Sequence, residues 1–291
     1  MIYGFIEARK AEHAVSRMCH LFGVSPSGYH AWKKRGESLR RRQDRLLESR
    51  LRIAFAQSRQ AYGSPRLTHE MRDLGFAVGR RRVARLMRQS GLKARPRRRF
   101  TATTDSRHAD PVAPNLLKQQ FHADRADQKW ASDITYVWTR QGFVYLAVVL
   151  DLHARKVVGY ATADRIDTTL ALNALDRAIA VRRIAPGLIH HSDRGSQYCA
   201  KAYQSRLRDN GIAISMSAKG NAYDNAVVES FFKTLKTECV WRQTFDTRVQ
   251  ATQAIADYID GFYNPIRRHQ TLGYVSPVQF ERAARSSKPS P

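Results

Sequence analysis

Trp130-Ala-Ser-Asp-Ile-Thr-Tyr-Val-Trp138, Gly142-Phe-Val-Tyr-Leu-Ala-Val-Val-Leu-Asp-Leu152 and Lys156-Val-Val-Gly-Tyr-Ala-Thr-Ala163 are three runs rich in β-branched and aromatic residues, parted by turns too short to hold a helix. They read as strands, and connections this short pair neighbours antiparallel. Downstream the texture alternates. Thr168 to Arg183 repeats Leu170, Leu172, Leu175 and Ile179 at helical spacing, Leu188 to His191 reads as a strand, Ala200 to Asn210 as a helix and Ile212 to Met216 as a strand. Helices from Ala222 to Val240 and Thr247 to Phe262 follow. Alternation of this kind lays the later strands parallel to the first, giving an α/β domain with a mixed five-stranded sheet covered by helices.

The rest of the 291-residue chain differs in character. Lys and Arg number 50 against 25 Asp and Glu, a net charge of +25, while 43% apolar content marks a globular chain rather than a disordered polycation. Such a surplus calls for a polyanionic partner. It is concentrated, since residues 1–120 carry 27 basic and 9 acidic side chains and residues 121–291 carry 23 and 16. Within the first part, Ala11 to Phe22 places Ala14, Val15, Met18, Leu21 and Phe22 at helical spacing, Gly23-Val-Ser25 breaks it, and Pro26 to Arg35 forms a second helix. The pattern recurs: Ser64-Pro65 opens a helix with Leu67, Met71 and Leu74 inward, Gly75 closes it, and Gly79 to Ser90 follows with Val83, Leu86 and Met87 inward.

Arg80, Arg81, Arg82, Arg85 and Arg88 cover the rest of that last helix with no acidic compensation beside them. The face is either a solvated one or a DNA contact, and the mutual repulsion of five cations favours the second. The chain is thus expected to divide into a helical, helix-turn-helix-like region at 1–60, a second basic helix-turn-helix module at 61–93, a basic linker at 94–120 and the α/β core at 121–285. The linker, with Arg95-Pro-Arg-Arg-Arg99, is expected along DNA as well. Three scattered cysteines (Cys19, Cys199, Cys239) offer neither a disulfide framework nor a zinc pair, so a reducing cytoplasm is expected. The longest apolar stretches, such as Val144 to Leu152, reach about half the roughly 20 residues of a membrane span. No membrane partner is expected.

Three acidic residues stand out, each expected to face solvent at the sheet's edge: Asp133 in the first strand, Asp193 just past the fourth, and Glu229 in a helix. Singly, each is weak evidence, since a lone acid in such a place is usually structural. Asp133 lies in Trp130-Ala-Ser-Asp-Ile-Thr-Tyr136, Asp193 in His190-His-Ser-Asp-Arg-Gly-Ser-Gln-Tyr198, and Glu229 in Lys219-Gly-Asn-Ala-Tyr-Asp-Asn-Ala-Val-Val-Glu-Ser-Phe-Phe-Lys-Thr-Leu-Lys236, with 35 residues between the last two acids. These blocks, the lysine seven positions beyond Glu229, and the upstream Phe22-Gly-Val-Ser-Pro-Ser-Gly-Tyr-His-Ala-Trp32 and Tyr62-Gly-Ser-Pro-Arg-Leu67 resemble a DDE transposase of the integrase superfamily. The likeness is specifically to the second-frame (OrfB) catalytic product of the IS-three family of insertion sequences, and it spans nearly the whole chain.

That resemblance implies an RNase H-like fold, two bound Mg²⁺ or Mn²⁺ ions, and Asp133, Asp193 and Glu229 as the catalytic, metal-holding carboxylates with Asp133 bridging both ions. It implies cleavage of a DNA strand at the element's end and attack by the freed 3′-hydroxyl on a second strand. The implied partners are double-stranded DNA (terminal inverted repeats and target), the first-frame (OrfA) product, and further copies of the chain, since two ends must be brought together. The site of action is then the bacterial cytoplasm, at the nucleoid. The chemistry agrees with the residue types, because in-line displacement at a phosphodiester is served by two hard cations about 4 Å apart, and hard cations take carboxylate oxygens.

Asn225, Lys233 and Lys236 fall at i−4, i+4 and i+7 of Glu229, so at helical spacing they share its face, beside an apolar stripe of Val228, Phe232 and Leu235. Lys236, Lys233 and Asn225 are expected at DNA, with Arg194 a further contact beside the second acid; a plain Glu229–Lys233 ion pair is the bland alternative. His190 and His191 are expected to be packed or hydrogen-bonded rather than catalytic. Lys219-Gly220-Asn221 suggests a phosphate loop, but no nucleotide-binding pattern accompanies it. Arg267, Arg268 and His269 either touch DNA or help pack Tyr263 and Leu272 on the core. Two rival readings of the whole remain: a DNA-binding regulator with a non-catalytic acidic triad, and an RNase H-like nuclease that cuts without joining.

Overall fold

The computed structural model describes residues 2–35, 37–94, 112–218 and 225–286. The chain forms two units, Met1–Gln57 with Gly63–Lys93, and Ser58–Tyr62 with Ala94–Pro291. The first is helical. Helices α1 (Ile2–Arg9), α2 (Val15–Leu21) and α3 (Pro26–Lys34) close over Ile6, Met18, Cys19 and Tyr29. Ser25 caps α3, its hydroxyl accepting from the Gly28 amide at 3.0 Å with Pro26 in the first turn. The helix expected from Ala11 begins only at Val15, and Leu21 and Phe22 are exposed rather than inward. Phe22 packs edge-on against Phe5, 5.5 Å between centroids, because α1, which the sequence reading passes over, supplies that ring.

Helix α4 (Leu39–Gln57) is also absent from the sequence reading, its buried Leu47, Leu51, Ala54 and Phe55 being interleaved with arginines. It packs with α5 (Ser64–Asp73) and α6 (Arg80–Gln89), which turn Leu67, Met71, Val83, Leu86 and Met87 inward as expected. Leu74 does not join them. It is the exposed C-cap of α5, and Gly75 takes φ +84° so that the Phe76 amide reaches the Met71 carbonyl and the Gly75 amide that of Arg72.

In the second unit the three opening runs form β1 (Lys129–Thr139), β2 (Gly142–Asp151) and β3 (Lys156–Ala163), paired antiparallel. After α7 (Thr168–Val181), β4 (Ile189–Ser192) lies parallel to β1; α8 (Ser196–Cys199) and α9 (Lys201–Asp209) lead to β5 (Ala213–Met216), parallel to β4. Among the described residues the sheet has five strands in the order β3-β2-β1-β4-β5, mixed as expected. Trp130, Ala147, Val149, Val158 and Ala161 pack against Leu170, Ala171, Ala174, Leu175 and Ala178 of α7. The alternate residues Leu146, Val148 and Leu150 are equally buried, and α10 (Ala226–Glu238) and α11 (Arg248–Tyr258) lie against β1 and β2, so both faces are covered. Gly159 is dictated by closeness, since a Cβ there would collide with the Ala174 carbonyl of α7. A short closing helix, α12 (Pro277–Ser286), returns to the core through Glu281, which pairs with Arg182 and Lys156.

Candidate active site

The register of the parallel pair decides where the first two acids meet. Lys129 pairs with Ile189, Trp130 with His190 and Ala131 with His191, so two further steps set Asp193 level with Asp133. Asp133 is therefore not at the sheet's edge as its sequence position suggests. It lies midway along the central strand, at the level where β4 beside it ends with Ser192. Asp193 sits in the turn after β4, where its Oδ1 accepts the Gly195 amide at 2.9 Å. A Cβ on Gly195 would stand 3.0 Å from that same oxygen, which keeps the turn small. Glu229 occupies the first turn of α10, where the helix dipole favours an anion.

The charges of these groups act on one another. Burial, then the carboxylate of Asp193 and, more weakly, that of Glu229 push the Asp133 carboxyl well above the ordinary carboxylate range. The Ile134 amide, donating to its Oδ1 at 2.7 Å, and the ammonium of Lys236 pull the other way. Crowded anions of this kind are what a cation relieves. Among the described residues no group of three His, Cys, Asp or Glu side chains is drawn into a ready-made metal cage. Glu229 is engaged instead by Lys233, 3.6 Å away, the ion pair foreseen as the bland alternative.

The flanking residues take less uniform places. Lys236 is 4% exposed, with its ammonium 4.9 Å from the centre of the Tyr136 ring; burial pushes it down to about 8 against the pull of Asp133. It is thus part of the floor beside Asp133 and not of an open helix face. Asn225, at the N-cap of α10, is buried; its Nδ2 donates to the Ser132 carbonyl at 3.3 Å, which ties the Glu229 helix to the Asp133 strand. Arg194 is half-buried and donates to the Ser217 carbonyl at 2.7 Å. The loop Lys219–Asn221 lies outside the described residues.

Both histidines are buried and hydrogen-bonded, in line with expectation. His190 Nε2 lies 2.7 Å from Ser132 Oγ and 3.0 Å from the Tyr203 hydroxyl, and burial pushes the imidazole down to about 3, which keeps it neutral. His191 Nδ1 lies 2.8 Å from Ser215 Oγ. This polar layer beneath the acids joins β1, β4, β5 and α9, and no local sequence signal announces it, because each partner comes from a different element.

In the first unit the basic face of α6 is partly compensated, contrary to the sequence reading. Asp44 of α4 takes Arg82 Nε at 2.8 Å and an Arg85 terminal nitrogen at 2.7 Å, while Arg80, Arg81 and Arg88 are exposed. Tertiary packing brings in an acid distant along the chain. Arg267 is no DNA contact either: it is 2% exposed and holds both oxygens of Glu238 at 2.7 Å, with Tyr258 donating to the same carboxylate at 2.8 Å. Arg268 donates to the Tyr274 carbonyl at 2.9 Å, a packing role.

Family models match three stretches of the chain. Residues 41–100 match an HTH-like domain, and residues 123–222 and 229–284 match two models of an integrase core domain. The transposase InsF for insertion sequence IS3A of Escherichia coli is 42% identical over 97% of this chain and 98% of its own length. An uncharacterised 31 kDa protein of insertion element IS600 from Shigella sonnei is 44% identical over 90% of this chain and 97% of its own. Among solved structures, a chain of the simian T-cell lymphotropic virus intasome in complex with PP2A regulatory subunit B56 gamma aligns over 79% of this chain and 74% of its own at 15% identity and TM-score 0.49. The helical DNA-module match, the integrase core matched in both halves and the identity to InsF together place this chain in the IS3 family of insertion-sequence transposases, polynucleotidyl transferases of the integrase superfamily with an RNase H-like core.

Proposed function

We propose that Asp133, Asp193 and Glu229 are the reaction centre of this transposase, holding two Mg²⁺ or Mn²⁺ ions with Asp133 shared between them. The observation that carries the reading is geometric: the β1–β4 register brings Asp193, just past Ser192, beside Asp133, and the Asn225 contact with the Ser132 carbonyl ties the helix of Glu229 to the same strand. The donor set fits the ions, since all three side chains offer hard carboxylate oxygens. When bound, such ions supply an activated attacking oxygen and neutralise charge on the leaving oxygen.

The chain's own groups prepare the site for that chemistry. The Ile134 and Gly195 amides fix one oxygen each of Asp133 and Asp193, which orients the remaining oxygens. Lys236 sets a cation beside Asp133 for the phosphate of the strand end, and Lys233, paired with Glu229, offers a second cation to DNA. Asn225 holds the Glu229 helix on β1, and Arg194 braces the turn that carries Asp193. Arg80, Arg81 and Arg88 track DNA phosphates from α6. The chain is read in its parts as helical modules to residue 93, a basic linker to 120 and the catalytic core to 285. It works in the bacterial cytoplasm as an oligomer on paired ends, with the OrfA product as partner.

The test is a labelled terminal repeat incubated with protein and Mg²⁺. Asp133→Asn, Asp193→Asn and Glu229→Gln are each expected to abolish cleavage and joining while DNA binding persists. Full strand transfer by any one of them refutes the assignment. Cleavage by the unaltered protein with no linkage of a pre-nicked 3′-end to target DNA would make it a nuclease, and no nicking at all a regulator.

A further inference from the structure

A cleft of about 310 Å³ opens between the end of β1 and the turn after α10, lined by Tyr136, Trp138, Lys236, Trp241, Gln243 and Thr244 among others. Nothing in the assigned chemistry uses its aromatic wall. Trp138 is 55% exposed, Tyr136 44% and Trp241 36%, an unusual concentration of large rings left open on one side of a soluble unit. Its base is cationic, because Lys236 lies under the Tyr136 ring and beside Asp133. Its rim carries the Gln243 amide and the Thr244 hydroxyl, both exposed, and a glutamine amide matches the donor and acceptor edge of adenine. Flat apolar faces, one cation and an amide edge are together the chemistry of a nucleotide.

We propose that this cleft holds one unstacked nucleobase of the DNA end being processed, its ring laid on Trp138 and Trp241, its phosphate at Lys236 and its edge at Gln243. The inference rests on the reading of the three carboxylates as the reaction centre. Lys236 follows Glu229 by seven residues on α10, about 10 Å along the axis at about 1.5 Å per residue. At about 3.4 Å per step of a strand, the captured base lies within about three nucleotides of the reacting phosphate. Holding it out of the stack keeps the terminal pairs open and fixes the strand's register at the acids. The cleft's volume falls at the small end of ligand sites, fitting one nucleotide rather than a peptide or a second duplex.

The experiment uses the full chain, Mg²⁺ and a duplex of the element's terminal repeat. Trp138→Ala and Trp241→Ala are each expected to slow end cleavage at least tenfold. One abasic substitution within about three nucleotides of the cleavage point is expected to slow the unaltered protein by the same factor. Variant and abasic end combined show no further loss, since both remove the same stacking contact, and Trp138→Phe restores most of the rate. Unaltered rates in the tryptophan variants, or losses that multiply with every abasic end, overturn the proposal. Both side chains are exposed and melting curves report on folding; should a variant unfold, equal tolerance of abasic ends at all three positions by the unaltered protein overturns it alone. Asp133→Asn, run beside them, separates the two readings. Cleavage by that variant sinks the carboxylate assignment, whereas its inactivity alongside fully active tryptophan variants sinks only the cleft.

Discussion

Lys236 is held as a cation at a cost to the fold, and Lys236→Met measures that cost. Burial moves its ammonium from 10.5 down to about 8, although Asp133 pulls it the other way. At about 1.4 kcal/mol per pH unit, keeping the charge in place costs at most about 3.5 kcal/mol. The Tyr136 ring 4.9 Å away returns about 0.5–2 kcal/mol of this, so about 1.5–3 kcal/mol remains. The unfolded chain keeps this proton up to pH 10.5, the folded chain only up to about 8. The penalty is therefore full below pH 8 and fades as the pH rises towards 10.5. Lys236→Met, which retains most of the packing, is expected to melt about 3–12 °C higher at pH 7, with the advantage shrinking between pH 8 and 10.5. Tryptophan fluorescence follows this, since Trp130, Trp138 and Trp241 of the four tryptophans lie in the second unit. The same variant is expected to lose end cleavage, stability being exchanged for function. A variant less stable than the parent at pH 7, or a difference flat across pH, refutes the reasoning.

Arg267→Ala takes the guanidinium from both oxygens of the buried Glu238 carboxylate, and is expected to cost about 3–5 kcal/mol in urea denaturation, whereas Arg267→Met with Glu238→Leu recovers most of the loss. Gly159→Ala drives a methyl group into the Ala174 carbonyl and within 2.8 Å of Ala178 Cβ, which is expected to lower stability by about 1–3 kcal/mol on the same measurement. Arg80→Ala and Arg88→Ala are each expected to weaken duplex binding and to reduce the salt dependence of log K by about one counterion, read from titrations at several salt concentrations, because both side chains are exposed while Arg82 and Arg85 are held by Asp44.

What the sequence determined is local and periodic. Runs of β-branched and aromatic residues from Trp130 to Ala163, parted by short turns, specify three antiparallel strands, and the helix-strand alternation beyond them specifies parallel β4 and β5, because residue preference and connection length act over a few residues. The three acidic blocks were likewise legible as motifs. Tertiary structure alone decided the rest. That Asp133 is central in the sheet follows from β4 docking outside β1, a choice made by the burial of whole strand faces. Asp44 neutralises two arginines, Glu238 claims Arg267, and Lys236 and Asn225 turn from the solvent onto β1, each through a partner far away along the chain. Helices α1 and α4 escaped notice for the same reason: their apolar faces are short or crowded with arginine, and become faces only when neighbours cover them. Charge and spacing can be counted along one dimension, but pairing, burial and the pKa values that depend on them are properties of the packed chain.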